Sequence, residues 1–220
     1  VNIIARLLLE IVRIPFLAIW YVWGWRFEKL PPDIDKYVII TVPHTSYWDY
    51  YHMMMMALVI RRRPRTTMKH TLFWFPLGLI FRALGCIPIN REQSLHAVDW
   101  IADLFNKEKR MVLAITAEGT RKKTRFWKSG FYYIALKANV PIVCGYIDYA
   151  RKRGGAGLII HPSGDIHADF ERIRDYYLRY GRNGKHPEQV SDVALKERKS
   201  ERDMMDAVGV ASETSDQSDQ

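Results

Sequence analysis

Cysteine is nearly absent from this chain: Cys86 and Cys144 are the two in 220 residues. Two thiols so far apart form neither a disulfide framework nor a metal-ligand spacing, and a reducing compartment is the expected setting. Also missing is an unbroken apolar run of the roughly 20 residues that a membrane-spanning helix needs. The uncharged stretch Ile14 to Trp25 has twelve residues. No Gly-x-Ser-x-Gly occurs, which excludes the strained serine elbow of the α/β-hydrolases. Gly154-Gly155-Ala156-Gly157 is not followed by Gly-Lys-Ser or Gly-Lys-Thr, so it reads as a turn and not as a phosphate-binding loop. No internal repeat is found.

Positive charge, by contrast, is plentiful. Formal net charge is +9, and the last twenty residues hold six acids against one base, so the body up to residue 200 carries +14. Such a body calls for an anionic partner: lipid head groups, an acidic carrier, coenzyme phosphates or nucleic acid. With 48% hydrophobic and 26% charged residues, the chain is that of a folded protein of one ordinary domain. Three stretches are expected: an N-terminal helical element at 1–30, a main domain at 31–185 and an acidic, partly disordered tail at 186–220.

Ile4, Leu7, Leu8 and Ile11 recur at helical spacing, with Arg6, Glu10 and Arg13 opposite. This predicts an amphipathic helix over 3–13, interrupted by Pro15. Trp20, Tyr21, Trp23 and Trp25 follow. Indole rings favour the head-group boundary of a bilayer, so residues 1–30 read as an element lying in a membrane interface. A helical hairpin packed on the core is the plainer alternative. No small-residue cleavage site follows, which argues against a signal peptide. Thr71 to Leu84 is a second apolar segment, broken by Pro76, Gly78 and Arg82. It reads as another membrane or acyl-chain contact. Met53 to Met56 suits core packing or the wall of an acyl channel. Arg61, Arg62, Arg63 and Arg65 would meet anionic lipid, at about 1 kcal/mol each, or simply line a solvated loop.

The β-branched run Tyr37 to Val42 reads as a buried strand and Tyr50 to Ile60 as a helix. Further strands are expected at 66–69, between Gly85 and Arg91, and at 111–116, 141–147 and 158–160, with helices at 94–107, 129–138 and 168–180. Strands alternating with helices give an α/β domain, a mixed or largely parallel sheet flanked by helices, preceded by the N-terminal interfacial element.

Between the first strand and its helix lies Pro43-His44-Thr45-Ser46-Tyr47-Trp48-Asp49. Thr45 or Ser46 can cap the helix. A tight turn brings the Asp49 carboxylate back to the His44 imidazole, fixing its tautomer and stabilising the imidazolium, as a general base requires. A capping Asp and a hydrogen-bonded structural His would leave the same spacing.

Three further stretches bear on the choice. They are Gly85-Cys86-Ile87-Pro88-Ile89-Asn90-Arg91, then Ala117-Glu118-Gly119-Thr120-Arg121 after an apolar strand, then Val140-Pro141-Ile142-Val143. With His44-x4-Asp49, their order and spacing over residues 37–147 resemble the glycerolipid acyltransferase family, whose best-known members acylate lysophosphatidic acid. The chain departs from the family pattern in having Thr116-Ala117 where an aromatic residue and proline usually stand, and Cys144 where a proline usually stands.

The resemblance implies O-acyl transfer from an acyl thioester, acyl-CoA or acyl-ACP, to a lysophospholipid hydroxyl, most simply 1-acylglycerol-3-phosphate. It makes His44 and Asp49 the catalytic pair and places Arg91, Glu118, Gly119, Thr120 and Arg121 at the acceptor. Gly85, Pro88, Val140, Pro141 and Ile142 complete the blocks. It implies no metal and no cofactor beyond the thioester co-substrate, a lipid surface rather than nucleic acid as partner, and a peripheral or monotopic place on the cytoplasmic face of a membrane. Three alternatives stay open. One is an acceptor without phosphate. Another is a metal hydrolase using His44, Asp49, His52 and His70, whose spacing fits no ligand pattern. The third is a basic membrane-binding protein without activity, which would leave the four ordered blocks unexplained.

Overall fold

Tyr37 to Val42 is buried on both faces. Side chains alternate along a strand, so Val38, Ile40 and Val42 enter one core with Phe105, Ile134 and Tyr177, while Tyr37 and Ile39 enter another with Val112, Ala114 and Val143. A strand buried on both faces belongs at the centre of a sheet covered by helices on each side. The computed structural model, which describes residues 3–29, 31, 33–89 and 94–195, has that arrangement.

Seven strands form one sheet: β1 (Arg26–Lys29), β2 (Lys36–Val42), β3 (Arg65–Lys69), β4 (Cys86–Ile89), β5 (Met111–Ile115), β6 (Ile142–Asp148) and β7 (Arg153–Ile160), in the order β1-β7-β6-β2-β5-β3-β4. From β6 to β4 the strands are parallel; β7 runs antiparallel to β6, and β1 parallel to β7. The helices are α1 (Ile3–Val22), α2 (Trp48–Ile60), α3 (Leu77–Ala83), α4 (Ser94–Lys107), α5 (Gly130–Lys137) and α6 (Ile166–Tyr180). Buried residues of α4, α5 and α6 share the larger core. Leu17, Trp20 and Trp25 form another with Met55 of α2 and Ile147 of β6. The mixed, largely parallel α/β sheet is as expected.

Two local expectations are corrected. Gly154 to Gly157 is not a turn but lies within β7. Its glycines are there for closeness: a Cβ on Gly155 would stand 3.0 Å from the Lys29 backbone, and one on Gly157 would stand 2.8 Å from the Tyr176 hydroxyl. Pro15 does not interrupt the first helix, which runs through it to Val22. Of Thr45 and Ser46, it is Ser46 that caps α2: its Oγ accepts the N–H of Trp48, the first helical residue, at 3.3 Å. Three of the four clustered arginines have acidic partners on the chain, Arg61 with Glu10, Arg62 with Asp33 and Arg65 with Glu108.

On helix α1 the charged residues whose side chains are described face the protein: Arg13 donates to the Leu58 carbonyl at 2.7 Å and pairs with Glu10. Ile11, Ile14, Phe16, Ile19 and Val22 are turned outward. The aromatic belt divides as well. Trp23 is half exposed, but Trp20 and Trp25 are buried, so two of the rings read as interfacial are core residues. The reason is a polar partner: the Trp20 indole donates to His52 Nδ1 at 2.9 Å, and a buried indole N–H needs such an acceptor. The methionines of α2 are partly core as well, with Met55 buried among these rings. Among the described residues no helix is long and apolar enough to cross a membrane.

The structure describes the chain as far as Leu195, ten residues into the stretch read as an acidic tail. These residues pack on the domain: the Trp127 backbone N–H donates to the Ala194 carbonyl, and Ser191 is buried.

Candidate active site

In a parallel sheet the carboxyl ends of the strands share one edge, where the connecting loops form a crevice. His44 follows β2 there, Glu118 follows β5 and Tyr149 follows β6. Asp49 is the second residue of α2 and is buried. Its Oδ2 lies 3.1 Å from His44 Nδ1 and accepts the backbone N–H groups of Thr45 and Ser46, each at 2.8 Å. Its Oδ1 accepts the Tyr149 hydroxyl at 2.6 Å. The carboxylate thus closes the turn from within the helix, in addition to the Ser46 hydroxyl. Ser46 Oγ accepts the Trp48 N–H at 3.3 Å, and Thr45 Oγ1 accepts the His186 N–H at 3.3 Å.

Burial works against ionisation of Asp49, yet the bonds from His44, Tyr149 and Ser46 outweigh it, and its pKa lies below the ordinary value. With Asp49 ionised, His44 Nδ1 carries the proton as donor and Nε2 is the basic nitrogen. The His44 side chain is 23% exposed, so the pair is anchored inside and open at the crevice.

Glu118 turns inward. It is 2% exposed, and its Oε2 accepts the His44 backbone N–H at 2.8 Å. Burial pushes its pKa up to about 7, opposed by the His44 N–H and by Ser191. Ser191 lies close enough to favour the anion, but Oε1 has no hydrogen bond of ordinary geometry. The side chain read as an acceptor contact is therefore a clasp on the main chain of His44. Gly119 has φ +64°, and a side chain there would meet Lys128 at 2.9 Å. Exposed Thr120 accepts the Lys122 N–H. Arg121 lies over the ring of Tyr47, 3.4 Å from its centroid, and donates to its hydroxyl at 2.7 Å. Trp48, the next residue, carries the Lys185 ammonium 4.7 Å from its centroid. Tyr47 and Trp48, which lie between His44 and Asp49 in the chain, thus each hold a cation.

Not every block gathers at this edge. Ile142 pairs with Val38 and Tyr146 with Val42, so Val140, Pro141 and Ile142 stand at the far end of β6, about 13 Å further from His44 than Tyr146 at the usual rise per residue. Pro141 accepts the Val38 N–H there, and Cys144 is buried in mid-strand opposite Ile40. Gly85 has φ +86° and starts β4, in which Pro88 pairs with Met68. β4 ends at Ile89 on the site edge; Arg91 lies outside the described residues. His52 does not join His44. Its Nδ1 is taken by Trp20, and burial pushes its pKa down to about 4. Among the described residues no three His, Cys, Asp or Glu side chains come together as metal ligands.

With this geometry in hand, the comparisons with known proteins agree with it. A family model described as acyltransferase matches residues 26–148, more than half the chain. This chain belongs to the acyltransferase family. It is 34% identical over 131 residues to the human (Homo sapiens) 1-acyl-sn-glycerol-3-phosphate acyltransferase beta, a match covering 56% of this chain and 46% of that protein, so the chain spans about half the length of that relative. Its fold matches the crystal structure of the 1-acyl-sn-glycerophosphate (LPA) acyltransferase PlsC from Thermotoga maritima with a TM-score of 0.52, at 18% identity, over 78% of this chain and 75% of the other.

Within this acyltransferase fold, sequence reasoning missed Tyr149, His52 with Trp20, and residues 183–191. Tyr149 was signalled by its place just after a strand parallel to β2. The last segment carried no periodic signal, because glycine and backbone groups hold it. The Tyr149 N–H donates to the Asn183 carbonyl, Asn183 donates to Asp148, and Gly184 lies so close to Thr45 that a Cβ would stand 2.8 Å from it.

A folded Glu118 pKa near 7 against 4.5 when unfolded fixes a sign. Between these values the unfolded chain releases the proton and the folded one retains it, so stability declines as pH rises through the window and levels off above it. Glu118→Gln keeps an acceptor for the His44 N–H and removes the charge. Urea denaturation across this window is expected to show the wild type losing stability relative to the variant as pH rises. A constant difference would place the Glu118 proton elsewhere.

Proposed function

We propose that this chain transfers a fatty acyl group from an acyl thioester to a hydroxyl of a lysophospholipid, with 1-acylglycerol-3-phosphate as the acceptor. The observation that carries the reading is the buried Asp49 carboxylate 3.1 Å from the half-exposed His44 ring, at the carboxyl edge of the sheet. A thioester leaves readily, since a thiol ionises near pKa 8.5, whereas an alcohol is a weak nucleophile until its proton is taken. His44 Nε2 removes that proton as the oxygen attacks the acyl carbonyl. The C–O bond forms, the C–S bond breaks and the thiolate leaves with the proton available from the imidazolium. Asp49 stabilises the charge on the ring throughout. The base serves the acceptor directly, without a covalent acyl-enzyme. The donor is acyl-CoA or acyl-ACP, both carrying the same thioester.

His44→Ala is expected to abolish thiol release from the thioester in the presence of lysolipid while the protein stays folded. Asp49→Asn is expected to lower turnover strongly but less completely. Wild-type turnover by folded His44→Ala protein would sink this mechanism.

Arg121 supplies the acceptor's phosphate seat, assisted by Lys185 across the Tyr47–Trp48 pair, with Arg91 as the further arginine of the family blocks. Gly119 and Thr120 shape the turn that presents Arg121, and Glu118 serves the acceptor side through the His44 main chain. A charge-assisted bond contributes about 1.5–3 kcal/mol, so Arg121→Ala is expected to weaken use of a phosphorylated lysolipid by roughly 10- to 150-fold. Use of its dephosphorylated counterpart should change little. Steady-state kinetics with the matched lipids decides. Equal discrimination by variant and wild type would favour an acceptor without phosphate, the reading to which Thr116-Ala117 points.

The outward apolar face of α1 and the exposed Trp74, Phe75, Leu79 and Ile80 are the membrane contact. They support the reading of the chain as a peripheral or monotopic protein, on the cytoplasmic face where lysolipid and thioester would meet. Contiguous exposed apolar side chains of this kind bind interfaces. Because Trp20 and Trp25 are core residues, deletion of 1–30 would damage the fold, and point changes are the proper test. Ile14→Asp with Val22→Asp is expected to reduce flotation with anionic liposomes while leaving the unfolding transition in place. Undiminished flotation would remove α1 from the membrane contact.

A further inference from the structure

Tyr149 lies one residue beyond the segment matched by the family model, and its hydroxyl is 2.6 Å from Asp49 Oδ1. The other carboxylate oxygen is the one that faces His44 and the Thr45 and Ser46 N–H groups. Rotation about Cβ–Cγ moves both oxygens together, so the bond to Oδ1 adds to the restraint that the three contacts on Oδ2 already impose. Tyr149 is in turn boxed in. Its backbone N–H donates to Asn183 O at 2.9 Å, and its ring meets Trp25 edge-on, with centroids 5.2 Å apart, and His52 at 5.4 Å. The His52 ring lies 3.8 Å from Trp25 and receives the Trp20 N–H at 2.9 Å. A continuous run of packed rings therefore joins the C-terminal end of α1 to the carboxylate of the His–Asp pair.

We propose that Tyr149 is the positioning residue for Asp49, and that Trp20 and Trp25, acting through His52, hold Tyr149 in that role. The N-terminal segment thus does more than meet lipid: its inner face supports the base. The proposal rests on the reading of His44 and Asp49 as a general-base pair. Burial and the neighbouring Asp49 raise the Tyr149 pKa, so the phenol stays protonated and remains a donor. Its bond is among those that lower the pKa of Asp49. The other groups acting on Asp49 are the His44 ring and the backbone N–H groups of Thr45 and Ser46; His52 is also close enough to feel its charge.

The test uses the full chain in mixed micelles with acyl thioester and lysolipid, reading thiol release. Tyr149→Phe keeps the ring against Trp25 and removes the hydroxyl. It is expected to lower kcat about tenfold to a hundredfold, with the KM values for both substrates little changed. The acid limb of the kcat profile should move to higher pH. The sign follows from the bond lost: without the Tyr149 donor the Asp49 carboxylate is more basic and offers more charge to the ring, so the His–Asp pair takes up its proton at higher pH as pH falls. Trp20→Phe, which deletes one neutral donor, should move kcat in the same direction by roughly 2- to 12-fold.

A double-mutant cycle separates positioning from general destabilisation. If Tyr149 acts through Asp49, adding Tyr149→Phe to Asp49→Asn costs little further activity, whereas independent effects multiply. Should Tyr149→Phe fail to fold, a fluorotyrosine at 149 keeps the hydroxyl, strengthens it as a donor and is expected to move the acid limb to lower pH. An unmoved acid limb with unchanged kcat, or losses that multiply in the cycle, would overturn the proposal. A His44→Ala protein as active as wild type would instead overturn the underlying mechanism, so the two failures are distinguishable.

Discussion

The Asp49 carboxylate is the point on which the surrounding structure converges. It takes two backbone N–H groups from the loop before it, the ring of His44 from the same loop and a hydroxyl from the end of β6. Burying a carboxylate is costly unless its charge is met by donors, and these four contacts meet it from both oxygens. The same bonds close the loop between β2 and α2, so the group that makes the turn also orients the His44 ring. Around it a second layer acts on His44 from the other side: Glu118, itself deeply buried, holds the imidazole's backbone N–H. Ring and main chain of the same residue are fixed by two different acids.

Much of this was legible in the sequence. The β-branched run at 37–42 could only be a buried strand, and a histidine after it with an aspartate five residues on placed a His–Asp pair at the strand's exit. The four ordered blocks narrowed the chemistry further. Less visible were the parts in which tertiary contact overrides a local signal. Four residues with three glycines signal a turn, but in β7 they serve the close approach of β1 and of Tyr176. A proline signals the end of a helix, yet α1 continues past Pro15 and packs Leu17 and Trp20 into the core. Four aromatics in six positions signal an interface, and only the hydrogen bond from Trp20 to His52 shows which are inside. Glu118 was identified with the right block but the wrong direction, since burial is invisible in a motif.

The final segment of the described chain was the least legible. Asn183 to Ser191 has no periodicity, and its effect comes from backbone groups and small side chains set against loops far earlier in the chain. The His186 N–H reaches Thr45, the Asn183 carbonyl receives Tyr149, and Gln189, with its amide nitrogen turned inward, reaches the carbonyls of Thr45 and Arg121. It brings Lys185 over Trp48 without belonging to any of the recognised blocks.

That long-range stitch has a consequence for the order in which the molecule is made. Thr45 and His186 are 141 positions apart, and at about 5–20 residues per second a ribosome spends roughly 7–30 s producing the chain between them. The strands of the sheet and the outward apolar face of α1 exist well before the segment that braces the His–Asp loop. The loop thus acquires its full set of bonds only once residue 186 has been made, after the outward apolar face of α1 has already left the ribosome.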